Sequence, residues 1–193
     1  MKIKSIKLHN FMRYKGDNEL FFSTDNEKNV TVVLGDNTFG KTTLAQAFRW
    51  GLYETLNDTR YNKKKEVVLL NNEAAAELKS GVEKVFVEIV VINQEEEIRF
   101  MRTATFNRKN VLSSDISVKQ IGPTELTMQL KDENGIWGDV IPNSGKEVKR
   151  EVNGNVIKEK YVNGCVQDKI DNIFPQSLSN YFFFDGERWN DLK

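Results

Sequence analysis

The residues with the clearest chemical potential are two glycines, a lysine and a threonine at a fixed spacing. Gly35 and Gly40 stand five positions apart, and Lys41 and Thr42 follow directly in the run GDNTFGKT. Glycines at this spacing let backbone N–H groups approach phosphate oxygens, because no Cβ obstructs them. Lys41 then spans the β- and γ-phosphates, and the Thr42 hydroxyl binds Mg²⁺. The pattern predicts an ATP site with Mg²⁺ as its metal, and the alternative is a glycine turn beside a solvated lysine.

The segments on either side of this loop have the patterns of a strand and a helix. Residues 29–34 have the sequence NVTVVL, a β-branched run that predicts a buried strand ending at Gly35. In 41–55, apolar residues recur at spacings of three and four, which predicts an amphipathic helix. This order aims N–H groups and a helix N-terminus at a polyphosphate. The predicted cofactor-binding set therefore includes the whole loop: Gly35, Asp36, Asn37, Thr38, Phe39, Gly40, Lys41, Thr42 and Thr43.

A second candidate site is an aspartate at the end of an apolar run near the C-terminus. Residues 181–184 have the sequence YFFF, which predicts a short core strand, and Asp185 follows it directly. An aspartate that closes such a strand can hold a metal ion in P-loop enzymes, and Glu187 would then stand as a catalytic base. Gly186 separates the two carboxylates, and Asp185-Gly186 is also compatible with a simple turn.

The composition excludes several kinds of active site. Lys plus Arg and Asp plus Glu number 28 each, so the net charge is 0 and no global field attracts nucleic acid or an anionic membrane. Cys165 and His9 are single residues of their types, which excludes a disulfide framework, a Cys/His zinc site and histidine-based triads. No apolar run is long enough for a signal peptide or a membrane span, so the protein is expected to be cytoplasmic and without a membrane partner.

A local basic patch and a set of alternating segments complete the pattern. Lys63 to Lys65 would suit DNA phosphates or, alternatively, lie in a solvated loop. Alternating segments and turn signals predict antiparallel strand pairs at 2–11 with 19–23, 84–92 with 97–106, and 115–121 with 125–131 around Gly122-Pro123. A further strand ending near Ile141, a hairpin around Asn153-Gly154, and helices in EAAAELKS and 164–174 are also predicted.

Both ends of the chain resemble one class of ATPase. A strand, Asn10-Phe11, a second strand and then VVLGDNTFGKTTLAQAFRWGLY resemble the N-terminal half of an ABC-type ATPase head of the SMC, RecF, RecN and SbcC class. The run FFFDGERWNDL is similar to a segment of the DndD family, the SMC-like ATPases of DNA phosphorothioate systems. The usual loop of the class is GxNGxGKST. Asn37 matches it, whereas Thr38 replaces a glycine and Thr42-Thr43 replaces Ser-Thr.

The resemblance implies an α/β P-loop NTPase fold in which 1–193 is a single N-terminal head lobe with a large antiparallel β portion. Residues 1–60 would form the phosphate-loop core, 61–160 mainly antiparallel strands, and 161–193 a helix, the FFFDGE strand-loop and the start of a coiled coil. It also implies that hydrolysis of ATP needs a C-terminal lobe and a second head in a homodimer. The complete protein would act on DNA, in modification, defence or repair.

The resemblance also suggests roles for single residues. It implies that Arg13 lies near the nucleotide, and that Asp185 stands where related heads have a glutamine that reaches Mg²⁺ and the attacking water. Lys41 and Asp185 are thus the predicted catalytic residues. Thr42 and Asp185 are the predicted metal-binding residues. The alternative is a self-contained P-loop phosphotransferase or NTPase in which Asp185 and Glu187 serve as the Walker B carboxylates.

Overall fold

A computed structural model describes most of the 193-residue chain. The described residues are 1–36, 39–56, 69–78, 81–108, 118–140, 148–152, 155–159 and 166–179, with 148–152 and 155–159 described by their backbone alone. Several predicted features lie outside these ranges, namely Asn37, Thr38, Lys63 to Lys65, and the 181–184 run with Asp185 and Glu187. Within the described ranges, no helix is both long enough and apolar enough to cross a membrane.

A six-stranded antiparallel sheet is the main element. Its strands are β1 (Lys2–His9), β2 (Asp17–Phe21), β3 (Val82–Asn93), β4 (Glu96–Arg108), β5 (Val118–Lys131) and β6 (Trp137–Val140). They lie in the order β2-β1-β3-β4-β5-β6, and β7 (Val148–Val152) and β8 (Asn155–Glu159) pair with each other in a second, two-stranded sheet. The predicted hairpins β1–β2, β3–β4 and β7–β8 are therefore confirmed, as is the strand that follows the Asn134-Gly135 turn.

The described residues form three α-helices. They are α1 (Lys41–Tyr53), α2 (Asn72–Glu77) and α3 (Val166–Ile173), and a 3₁₀ turn at Gln176–Leu178 follows α3. The predicted phosphate-loop helix is confirmed, and it ends at Tyr53 because Glu54 takes a left-handed conformation with φ 57°. The side chain of Asn71 caps α2 by accepting hydrogen bonds from the N–H groups of Glu73 and Ala74.

Helix α1 packs on the sheet over β3 and β4, and the core lies between them. The approach is close because Gly51 faces β3. A Cβ at this position would lie 2.8 Å from Val87 Cγ1 and 3.1 Å from Ile89 Cδ1. Among the described residues, the large side chains that are fully buried include Phe11, Phe100, Phe174, Ile6, Leu52 and Leu70. The glycine thus sets how near the phosphate-loop helix lies to the sheet.

The prediction of two strands separated by a turn at Gly122-Pro123 is wrong. The structure has one long strand, β5, with an irregularity in its pairing to β4. Thr103 pairs with Glu125 and Thr105 pairs with Ile121, so three residues of β5 stand opposite Ala104. Gly122 has φ 73° and takes the left-handed conformation that such a bulge requires. Glycine and proline here mark a bulge within one strand.

The prediction of a buried strand at 29–34 is also wrong. This segment is not a strand in the structure, and Val30, Val32 and Leu34 are 78%, 71% and 88% exposed. One hydrogen bond ties this segment to the chain that follows β2: the Ser23 N–H donates to Thr31 Oγ1 at 2.8 Å. A β-branched run forms a strand only where a neighbouring strand satisfies its N–H and C=O groups. Among the described residues, no strand pairs with this segment.

We expect Gly51→Ala to destabilise the fold. Alanine improves helix propensity by up to about 1 kcal/mol, but forcing its Cβ against Val87 and Ile89 costs about 1–3 kcal/mol. The net loss should therefore lower the urea midpoint of unfolding. The matched control is Gly138→Ala, where the nearest atom is Leu130 O at 3.9 Å, an ordinary contact. Equal midpoints for the two variants would contradict the close approach of α1.

Candidate functional site

The N-terminus of α1 has the features of an anion-binding site. Gly40 is the N-cap residue, with φ 93° and no side-chain capping bond, and the first turn of the helix contains no acidic residue. The first helical hydrogen bond runs from the Leu44 N–H to Gly40 O at 2.8 Å. The N–H groups of 41–43 therefore precede any intrahelical acceptor and point out of the helix end. Together with the helix dipole, they favour a phosphate group at this position.

Lys41 keeps its ammonium group at the loop. Its Nζ donates to the carbonyl of Gly35 and to that of Asp36, the latter at 2.9 Å. The loop is closed further by a turn in which the Phe39 N–H donates to Asp36 O at 3.3 Å. The carbonyls of the loop thus hold the lysine where its charge adds to the field of the helix N-terminus. This is the charge arrangement that binding of a triphosphate requires.

The two threonines after the lysine differ in exposure. Thr42 is exposed, so its hydroxyl is accessible as a ligand for Mg²⁺, whereas Thr43 is buried against the core. A hydroxyl and phosphate oxygens are the hard ligands that Mg²⁺ prefers. The exposed and buried positions fit the two roles expected of them, a metal-side group and a packing residue. The side chain of Phe39 is also exposed, at 73%.

Tyr14 is a contact of the phosphate loop that the sequence analysis missed. Its hydroxyl donates to Gly40 O at 3.2 Å, and a Cβ on Gly40 would lie 3.1 Å from that hydroxyl oxygen. The Tyr14 hydroxyl is protonated at neutral pH and can donate, and burial raises its pKa further above the usual value. The sequence carries no signal for this contact, because a tyrosine 26 positions before the glycine belongs to no loop motif.

The loop that carries Tyr14 is held in place by strained and hydrogen-bonded backbone. Asn10 and Met12 have φ values of 49° and 50°, and between them Phe11 is fully buried. The Met12 N–H donates to Leu69 O at 2.6 Å, and Asn71 Nδ2 donates to Met12 O at 2.7 Å. Positive φ values at two non-glycine residues persist only where the surroundings hold them.

Arg13 is an exposed residue beside Tyr14 in this loop. It lies between Met12, which is anchored to Leu69 and Asn71, and Tyr14, which touches Gly40. The structure therefore puts Arg13 in a loop that contacts the phosphate loop, and its role as a nucleotide contact stays a prediction. The roles of Asn37, Thr38 and Asp185 also stay predictions, since those residues lie outside the described part of the chain.

The comparison with protein families agrees with this geometry. No curated protein matches the chain closely enough to count as a relative. A family model for an AAA domain, AAA_23, matches residues 5–192, which is almost the whole chain. P-loop families bind nucleotides through a glycine-containing loop that leads into the N-terminus of a helix, and Gly35 and Gly40 precede α1 in the same way. The chain therefore belongs to the AAA_23 family of AAA domains, P-loop ATPases found in SMC-, RecF- and SbcC-like proteins.

Proposed function

We propose that the chain is the ATP-binding half of an SMC-like ATPase that acts on DNA in modification, defence or repair. The observation that carries the proposal is the position of the phosphate loop, which joins an exposed apolar segment to an uncapped helix N-terminus. Membership of a P-loop ATPase family supports ATP as the ligand and Mg²⁺ as the metal. The role in DNA transactions rests on the resemblance to SMC-like heads and to the DndD family.

In this proposal, different residues bind the phosphates and the metal ion. The N–H groups of the loop and of the first turn of α1 hold the phosphates, and Lys41 neutralises their charge. Thr42 supplies the metal-side hydroxyl, and Arg13 supplies a second cation from the loop beside Tyr14. Asp185 is assigned to the metal side from the resemblance alone, as the group that reaches Mg²⁺ through a water molecule.

The exposed apolar segment at 29–34 supports the need for a second lobe. Val32 and Leu34 are 71% and 88% exposed, although they directly precede the phosphate loop. Removing an aliphatic side chain of this size from water contributes about 1.5–3 kcal/mol. A cleft of about 250 Å³ beside the segment is also lined mainly by apolar side chains, among them Leu20, Val33 and Leu44. We infer that a C-terminal lobe covers this surface and supplies the strand partner that 29–34 lacks among the described residues.

The same reasoning extends to the homodimer. Donors positioned opposite the γ-phosphate provide much of the rate in such reactions. In this proposal, none of the described loop residues takes that position. We infer that a second head brings these donors and that ATP closes the two heads around it. The self-contained alternative, with Asp185 and Glu187 as Walker B carboxylates, gives no role to the exposed apolar segment.

Lys41→Ala should abolish tight binding of ATP·Mg²⁺ without unfolding the chain, because the lysine contacts loop carbonyls rather than the core. Loss of a charge-assisted contact should weaken the affinity roughly 10- to 100-fold. Isothermal titration calorimetry measures the change, and Lys119→Ala, an exposed lysine on β5, is the matched control. Equal affinities in the two variants would remove Lys41 from the site.

Gly40→Ala should weaken ATP binding more than Gly16→Ala. Both glycines have positive φ, 93° and 65°, so both substitutions strain the backbone. Only at Gly40 would the new Cβ meet Tyr14, at 3.1 Å, whereas at Gly16 nothing lies within 4 Å. The affinity loss beyond the control should be about tenfold, the effect of roughly 1.4 kcal/mol. The prediction fails if both variants bind ATP equally well after correction for their stability.

We expect hydrolysis only when a C-terminal lobe is added, and Leu34→Lys should prevent that lobe from binding. The substitution leaves the free energy of unfolding nearly unchanged, because the side chain is already exposed. Ile136→Lys is the control, since Ile136 is 64% exposed in the turn before β6. Pull-down of the two lobes and phosphate release are the measurements. Robust turnover by 1–193 alone, abolished by Lys41→Ala, would instead support the self-contained enzyme.

A further inference from the structure

Arg102 is a charged side chain inside the core, and the proposed ATP site does not explain it. It lies on β4, opposite Val87 of β3 and Leu126 of β5, and is only 3% exposed. Burial lowers the pKa of its guanidinium, and the carboxylate of Glu54 opposes that shift. A charge is tolerated in such surroundings only when it is paired and its donors are hydrogen-bonded.

The guanidinium holds the C-terminal end of α1. Nε donates to Gly51 O at 3.2 Å, and Nη2 donates to Leu52 O at 3.3 Å. Nη1 donates to Glu54 Oε2 at 3.0 Å, at the residue that ends the helix. The last carbonyls of a helix lack intrahelical donors and carry the negative end of its dipole. Arg102 therefore binds the phosphate-loop helix at the end opposite the phosphate loop.

The same contact includes α3. Arg102 Nη2 donates to Gln167 Oε1 at 2.8 Å, and Gln167 Nε2 donates to Leu52 O at 2.9 Å. The three groups form a closed ring between β4, α1 and α3. A second link follows at the other end of α3, where the Tyr53 hydroxyl donates to Phe174 O at 3.0 Å. Any shift of the C-terminal end of α1 must therefore either carry α3 with it or break these bonds.

We propose that Arg102 and Gln167 form a joint that couples nucleotide binding at the N-terminus of α1 to the packing of α3, an inference that rests on the proposed function. Helix α1 has 13 residues and spans about 20 Å as a rigid element. Phosphate bound at the N-terminus restricts the motion of α1. The guanidinium of Arg102 binds both the C-terminal end of α1 and Gln167, so it extends that restriction to α3. Along the chain, α3 precedes the run that ends at Asp185.

Hydrogen exchange with and without ATP·Mg²⁺ tests the joint on the full 193-residue chain. In the unaltered protein, ATP should slow exchange both in α1 and in α3, the latter by roughly fivefold or more, as expected of a coupling of ordinary size. Gln167→Ala should keep the effect of ATP on α1 and remove it from α3. Asn172→Ala, an exposed position on the same helix, should keep both effects.

The decisive quantity is the ratio of α3 exchange rates without and with ATP. A purely structural Gln167 would raise both rates equally and leave the ratio unchanged, and this result would overturn the joint. Slower exchange in α1 but not in α3 of the unaltered protein would also overturn it, while leaving ATP binding intact. Absence of any ATP effect on α1 would overturn the proposed function together with the joint.

A second variant tests the arginine itself. Arg102→Lys keeps the positive charge, but a single ammonium cannot reach Gly51, Leu52 and Gln167 together in the fork geometry. The variant should therefore lose the ATP effect on α3 and weaken ATP binding several-fold, while Asn172→Ala, at an exposed position on α3, should change neither. Retention of the full α3 effect in Arg102→Lys would show that the charge alone suffices, and it would overturn the role of the fork.

Discussion

The arrangement of the nucleotide site depends on how closely α1 lies on the six-stranded sheet. Gly51 permits this approach, because any side chain there would meet Val87 and Ile89 at less than ordinary contact distance. At the C-terminal end of α1, Arg102 of β4 donates hydrogen bonds to the carbonyls of Gly51 and Leu52. A helix held at its C-terminal end presents its N-terminus, and so the phosphate loop, at a defined height above the sheet. The packing of α1 on the sheet therefore determines where the loop residues lie.

The second constraint on the site comes from the β1–β2 loop. Two residues with positive φ, Asn10 and Met12, turn the chain so that Phe11 is buried and Tyr14 reaches Gly40. The strain of these conformations is offset by hydrogen bonds to 69–71. The phosphate loop is thus bounded by α1 on one side and by an anchored loop on the other. The family match, which spans both elements, is consistent with their acting as one unit.

The two wrong strand predictions have one physical cause. A strand forms only beside another strand, because its backbone N–H and C=O groups need hydrogen-bond partners. Gly122-Pro123 suggested a turn, but β4 continues alongside and accommodates the extra residues as a bulge. The run at 29–34 has a local preference for a strand, yet among the described residues it has no strand as a neighbour and stays exposed. In both cases the outcome depended on whether a neighbouring strand was present, and local pattern does not contain that information.

The sequence by itself determined the β1–β2, β3–β4 and β7–β8 hairpins, the phosphate-loop helix and the spacing of the Gly35 to Thr42 motif, because each depends on residues near one another in the chain. Periodicity, turn residues and glycine spacing are local properties, and they were sufficient where the partner element is adjacent in the chain. Only the tertiary structure decided that Tyr14 touches Gly40, that Arg102 binds the end of α1, and that Gln167 joins it. These contacts join residues 26 to 65 positions apart, and no periodicity encodes them. They follow from the packing of the sheet against the helices, which the whole chain decides together.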